Sequence, residues 1–358
     1  MIDEKIPDEK LRSDDVENKT EHTATERTSG TEIAENADES AVKAKKKINL
    51  HFDSWKGWLY LLPAILLLLV FTIWPIFNTL RFAFLNNYDS MTAINNAQFE
   101  FGFENFLAVI NSPGGEFVTA LKNTLLLTVI TVPLSTMLAL LIAVALNAIK
   151  PLQKLFQTIF FLPYVTNSIA IGMVFAALFD VVGDFDQSLV DSWGFINNII
   201  MKLGGEPINW IDGISADSYW TKMFVLIIYI VWNALPFKIL ILLGGLQSVN
   251  KQYYEAAQID STPKWRVFWR ITVPLLSPML AYVVITGFIG GFKEYTSIIG
   301  VFGDTMADGQ LFTIVGFIYE ALPDAMYGEA SAAALILFVI IFIVTMINLY
   351  VSKKKTHY

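Results

Sequence analysis

Residues Tyr253 to Pro278 read YYEAAQIDSTPKWRVFWRITVPLLSP, a water-compatible stretch between two long apolar runs. Its chemistry predicts two short helices. Asn250 is placed to cap the first, and Thr262 the second, with Pro263 in the first helical position where its missing N–H costs nothing. Ala256 and Ala257 leave a small-residue surface beside Glu255. At helical spacing Trp265, Phe268, Trp269 and Thr272 share one side while Arg266 and Arg270 share another, so one face is apolar and one basic. A chain that is otherwise mostly apolar has no need of such an insert for solubility. An anionic lipid surface or a protein partner would each suit those faces, and the physics leaves both open.

The surrounding chain has 358 residues, 54% hydrophobic and 16% charged. Its mean hydropathy is +0.50, far above an ordinary soluble domain, and marks a polytopic, all-α membrane protein. The formal charge of −8 comes partly from the N-terminal tail and says little about the membrane part. There is no cysteine, which excludes disulfides, thiolate metal sites and a Cys nucleophile. His22, His51 and His357 all lie outside the apolar runs, so an intramembrane zinc enzyme built on histidines is disfavoured.

Residues 1–47 form a polar tail, and 1–40 have the composition of a disordered segment: Glu, Asp, Lys, Thr and Ser, hardly any aromatics, no period. They lack the short apolar core and small-residue cleavage site of a signal peptide. Lys43, Lys45, Lys46 and Lys47, followed by Trp55, Trp58 and Tyr60, mark the cytoplasmic entry to a first span. A membrane domain over 48–352 is then read as six spans, about 58–84, 119–147, 155–180, 222–246, 277–300 and 331–351, each long enough for roughly 30 Å of hydrocarbon at about 1.5 Å per residue. Pro63, Pro75, Pro133, Pro163 and Pro236 predict kinks.

Lys and Arg set the orientation. Loops 85–118 and 301–330 carry acids but no Lys or Arg, and 181–221 has Lys202 alone against Asp184, Asp186, Asp191, Asp212 and Asp217. Lys150, Lys154, Lys251, Lys264 and the basic end 353–358 lie on the other side. Both termini, and the loop 250–276, are therefore expected in the cytoplasm.

Several motifs now carry a resemblance. Glu255-Ala256-Ala257, Asp260 and Ile271-Thr272-Val273-Pro274 resemble the EAA loop of inner-membrane permeases of binding-protein-dependent ABC importers. Lys122-Asn123-Thr124, Phe160 to Tyr164, Trp232 to Phe237, Gly245-Leu246-Gln247, Phe292 to Tyr295 and Tyr327 to Ala332 are similar to its carbohydrate branch, the maltose, multiple-sugar and glycerol-phosphate type. The resemblance covers about residues 55–352. It implies a type I importer permease fold with the loop inserted into a cleft of a separate ATPase, through Tyr254, Glu255, Ala256, Ala257, Asp260, Ser261 and Arg266. Glu255 would offer a charge-assisted pair to a cation of that partner. In place of the family's Gly-Ala after the Asp stand Ser261-Thr262, which implies a turn that need not be left-handed. Gly300-Val301-Phe302-Gly303-Asp304 likewise departs from the family's Thr-x-Gly-Gly-Pro.

For the substrate pathway the resemblance implies Tyr164, Ser168, Ala234, Phe237, Gly290, Gly291 and Glu294, with Ile230 added one turn before Ala234. The amides that the maltose type uses are absent at Ile230 and Gly291. Packing at proline kinks is the plainer reading of Tyr164 and Phe237, snorkelling or pairing that of Lys238, and an ion pair that of Lys293 with Glu294. No GxxxxGK[ST] occurs, so no phosphate-cradling loop is present and ATP is expected to be hydrolysed elsewhere. The implied partners are a second homologous permease, two ATPase subunits, an extracytoplasmic solute-binding protein, a carbohydrate and membrane lipid, with no nucleic acid and no directly bound cofactor. A non-sugar solute such as glycerol phosphate, phosphate, polyamine or amino acid, or an ATP-independent carrier, are the alternatives. An intramembrane enzyme lacks a convergent nucleophile or metal set.

Overall fold

The computed structural model describes residues 54–86, 88, 100–149, 153–179, 194–211, 218–303, 306 and 309–355. The tail 1–47 lies outside them. The chain divides into two units, residues 1–75 and 76–358. The described part of the first is helical and belongs to α1 (Trp55–Ala83), a helix with a π turn at Leu69–Ile73 whose last residues, from Ile76 on, count to the second unit.

In the second unit follow α2 (Glu104–Ile110), α3 (Glu116–Ala148), α4 (Gln153–Val165), α5 (Ser168–Phe179), α6 (Phe195–Lys202) and α7 (Ser218–Ser248). After these come α8 (Gln252–Ile259), α9 (Lys264–Leu275), α10 (Ser277–Gly291), α11 (Thr296–Phe302), α12 (Ile314–Ala321) and α13 (Tyr327–Lys355). Among the described residues the only β feature is a single bridge between Leu85 and Phe101. Four helices, α1, α3 with its leading turn, α7 and α13, are each long and apolar enough to cross a membrane unbroken. Two further spans are bent pairs: α4 with α5 at 103°, and α9 with α10 at 69°.

The central pair is α3 and α7, packed along their lengths. In α3 the buried side carries Asn123, Thr124, Thr128, Thr131, Ser135 and Thr136 among small and aliphatic residues. Their hydroxyls spend their hydrogens on carbonyls of the preceding turn, as in Thr124 to Ala120 and Thr128 to Thr124, both at 2.7 Å, so polar side chains sit inside an apolar bundle at little cost. Asn123 explains why polar residues open this span. Its amide donates to the carbonyls of Gln310 (2.9 Å) and Phe312 (2.8 Å) and accepts from the Tyr219 hydroxyl (2.8 Å). Thr124 accepts the backbone N–H of Ile314 at 3.1 Å. The irregular segment before α12 is thus fastened to α3, its backbone groups satisfied without a sheet.

Two spans differ from the continuous helices expected at 155–180 and 277–300. The third breaks at Thr166–Asn167, where the Asn167 carboxamide accepts the N–H groups of Ile169 (2.9 Å) and Ala170 (3.4 Å) and so caps a new helix. The fifth breaks after Gly291. There Thr313 donates to the carbonyl of Glu294 (3.0 Å), and the Glu294 carboxylate accepts the N–H of Ser297 (3.1 Å), which starts α11. Satisfied breaks of this kind are how membrane helices interrupt their backbone where they line a cavity. α5 and α11, the helices beyond the two breaks, pack against each other at Gly172 and Gly300.

Candidate functional site

The 253–278 stretch folds as a helical hairpin, with three corrections to its expected detail. First, the turn is left-handed: Ser261 has φ +52°, the Ser261 N–H donates to Gln258 (3.0 Å) and the Thr262 N–H to Ala257 (2.9 Å). These two bonds are the Schellman closure that a glycine usually serves, so the geometry of the turn survives without its usual residue. Second, Pro263 and not Thr262 holds the position before the second helix, whereas Asn250 caps the first as expected, its side chain accepting the Gln252 N–H at 3.0 Å ahead of the already helical Lys251. Third, a π turn at Phe268–Thr272 breaks the four-residue spacing. Phe268 and Thr272 turn inward while Trp265, 71% exposed, and Trp269 stay outside, with Trp265 and Trp269 edge to face at 5.5 Å.

The alanines separate as well. Ala257 is buried and Ala256 exposed, so they do not form one small-residue surface. The exposed face of the hairpin carries Tyr253, Glu255, Ala256, Ile259, Asp260, Ser261, Trp265 and Arg266, with Ile259 84% exposed. Tyr254 is half-buried, its hydroxyl 3.4 Å from that of Thr272.

A second site lies between α3, α4, α7 and α10. It is a cavity of about 310 Å³, at the small end of the roughly 300–1,000 Å³ typical of small-molecule sites. Tyr164, Ile230, Ala234, Phe237, Gly290, Gly291 and Glu294 all line it, brought together from three spans. Tyr164 and Phe237 stack on each other at 5.9 Å, so packing at a kink and exposure to the cavity coexist. Ser168 is not on the wall. Its hydroxyl lies 2.9 Å from the Tyr229 hydroxyl and accepts from Asn233 at 3.3 Å, tying the start of α5 to α7.

Lys238 also lines the cavity and is neither snorkelling nor ion-paired there. Its ammonium donates to Ser135 (2.6 Å), Thr136 (3.2 Å) and the Val132 carbonyl (3.3 Å), all on α3. Gly287 makes room for it: a Cβ there would meet the Lys238 nitrogen at 3.3 Å and Val132 at 3.0 Å. Lys293 is exposed, whereas Glu294 turns to Ser297. Thr131, Ser135, Asn233, Thr286 and Ser297 complete the polar lining and were not among the expected residues. The recurrence of hydroxyls at 124, 128, 131 and 135, alternately four and three apart along an otherwise apolar run, is the sequence signal that marks the α3 wall.

An all-α bundle of unbroken and broken spans, a polar cavity at the breaks and a folded hairpin on one loop together define a polytopic membrane permease. The chain belongs to the family described as binding-protein-dependent transport system inner membrane component, whose model matches residues 109–357. Among curated relatives, the arabinooligosaccharides transport system permease protein AraP of Bacillus subtilis is 31% identical over 297 residues, 82% of this chain and 88% of that protein. The lactose transport system permease protein LacF of Rhizobium radiobacter is 27% identical, covering 88% of this chain and 99% of that protein. A solved bacterial ABC transporter that imports the acidic polysaccharide alginate has a chain similar in fold, with TM-score 0.67, 23% identity, and 85% of this chain and 96% of that chain covered. The fold is that of a type I importer permease.

Proposed function

We propose that this chain is the permease subunit through which an ABC importer moves a mono- or oligosaccharide across the cytoplasmic membrane by alternating access. It works beside a second, homologous permease, receives solute from an extracytoplasmic binding protein and is driven by two ATPase subunits. The chain itself carries no ATPase site and binds no cofactor, and both of its termini are cytoplasmic.

The observation that supports this reading most is the convergence of Tyr164, Ala234, Phe237, Gly290, Gly291 and Glu294 on one cavity. Stacked aromatics beside small residues and a carboxylate suit a transiently held sugar: the rings meet its apolar face and the polar groups its hydroxyls. The relatives named above transport arabinooligosaccharides and lactose. The exposed Glu255, Ala256, Asp260, Ser261 and Arg266, with half-buried Tyr254 and buried Ala257 supporting them, form the ATPase-docking loop.

The importer, purified with its native partners through a tag on this chain and reconstituted in vesicles, should take up labelled oligosaccharide only with ATP and binding protein. Glu255→Lys, or deletion of 253–262, should abolish uptake while leaving membrane insertion intact. Uptake of polyamine or glycerol phosphate in place of every sugar would move the reading to a non-sugar importer. ATP-independent uptake would make it a carrier, and coupled transport by the loop variants would remove the docking assignment.

A further inference from the structure

The 253–278 hairpin divides its charge unevenly between its two helices. Glu255 and Asp260 fall in α8 and at its end, whereas residues 261–275 hold Lys264, Arg266 and Arg270 and no acid. All three cations are exposed, and among the described residues their side chains make no hydrogen bond or ion pair. Beside them Trp265 and Trp269 are 71% and 49% exposed. The two rings are nonetheless held in place. Phe268 stacks on Trp265 at 6.1 Å and meets Trp269 edge-on at 5.1 Å, and Phe268 itself packs against the buried cluster that includes Leu246 and Leu276. The π turn thus presents a fixed aromatic platform next to uncompensated cations.

We infer that α9 is an interfacial arm on which Lys264 and Arg270 hold the phosphates of anionic phospholipids while Trp265 and Trp269 sit at headgroup depth. The inference rests on the permease reading above and leaves Arg266 in the docking loop. Three observations favour lipid on this face. α9 stands at 69° to α10, so beside a spanning helix it runs closer to the membrane plane than to its normal. Beyond the bend the exposed side chains become uncharged, Leu275, Met279 and Tyr282, as a helix entering hydrocarbon requires. The charge of α9 has one sign, and cations beside exposed Trp are the combination that the headgroup region takes up. Each Lys or Arg near an anionic bilayer strengthens attachment about fivefold, and a guanidinium matches two phosphate oxygens at once.

The natural chain has no cysteine, so Leu275→Cys, exposed at the end of α9, can carry a single bimane fluorophore in the importer complex assembled with cysteine-free partner subunits. The complex is reconstituted in vesicles of equal parts phosphatidylcholine and phosphatidylglycerol, with bromine on the acyl chains of one lipid or the other. Brominated phosphatidylglycerol should quench the fluorophore about fivefold more than brominated phosphatidylcholine. Lys264→Gln with Arg270→Gln should lose most of that preference, and the charge-keeping pair Lys264→Arg with Arg270→Lys should retain it. Lys202→Gln, in α6 and outside the hairpin, should leave it unchanged.

Equal quenching by the two lipids overturns the inference, since the face would then touch the membrane without recognising charge. Absence of quenching by either overturns it too and gives the platform to a protein subunit. A preference that survives the double glutamine variant removes Lys264 and Arg270 from the site. ATP-driven uptake measured in the same vesicles judges the permease reading separately: uptake lost with the lipid preference intact removes that reading and keeps the lipid site, and uptake intact without the preference does the reverse.

Discussion

Gly172 and Gly300 meet backbone to backbone: a Cβ added to Gly172 would stand 2.6 Å from the Cα of Gly300. Each glycine lies on the helix that follows a broken span, so this contact joins the two breaks on their far side from the 253–278 hairpin. Small residues permit such approach, and in a membrane close packing is a principal source of helix association.

Gly172→Ala should therefore force α5 and α11 apart, costing about 1–3 kcal/mol as overpacking does. The obstructing atoms are backbone and have little freedom to yield. Gly300→Ala, whose nearest contacts would lie at 3.2 Å, should be milder. Thermal unfolding of the purified variants compares them; equal stability of Gly172→Ala and the native protein would contradict the contact.

Replacing Lys238 separates its charge from its length. Lys238→Glu sets a carboxylate against the Val132 carbonyl and two hydroxyls whose hydrogens are committed elsewhere, a buried unpaired charge worth about 3–5 kcal/mol. That variant should fail to accumulate in the membrane, whereas Lys238→Met should accumulate. Immunoblots of membrane fractions decide, and normal levels of Lys238→Glu would refute the hydrogen-bonded arrangement.

Ser261 occupies a left-handed conformation that costs an L-residue about 1–2 kcal/mol. Ser261→Gly should thus stabilise the hairpin slightly, since the freedom glycine gains in the unfolded chain takes back roughly 0.5–1 kcal/mol. Ser261→Val should destabilise it. Hydrogen exchange at the Ser261 and Thr262 amides would register both changes, and a stabilising valine would argue against the turn.

A pH effect is expected outside the spans, at Glu320. Burial first, and then the neighbouring charges of Glu116 and Asp324, raise its carboxyl above the ordinary value near 4.5. A raised acid holds its proton in the folded state after the unfolded chain has released it. Its favourable contribution is complete below the ordinary value and is lost as pH rises from there through the raised one. Glu320→Gln should flatten melting temperature against pH in that window, modestly because the side chain is largely open to water. An unchanged profile would exclude the coupling.

Much of this architecture was legible from the chain. Apolar runs are strong signals because hydrocarbon tolerates so few exceptions. The breaks at Thr166–Asn167 and after Gly291 were not legible, since an apolar run keeps its hydropathy through a bend and only local caps such as Asn167 and Glu294 reveal it. Motif likeness brought Tyr164, Phe237 and Glu294 to the cavity's list, yet Ser168 is held by Tyr229 and Asn233, contacts set by a fold that spacing alone does not encode. At Ser261 residue identity pointed away from a left-handed turn, and the two closing hydrogen bonds override that local preference.

The closed turn at Ser261 also bears on how motion would pass through the 253–278 hairpin. Its two helices are fixed by backbone hydrogen bonds before any partner arrives, and α9 leads within a few residues into α10. A partner that grips this hairpin spends none of its binding free energy on ordering it. A displacement of the hairpin by such a partner would enter α10, which carries Gly287 and Gly290 of the cavity wall, across the 69° bend between α9 and α10, as through the elbow of a crank.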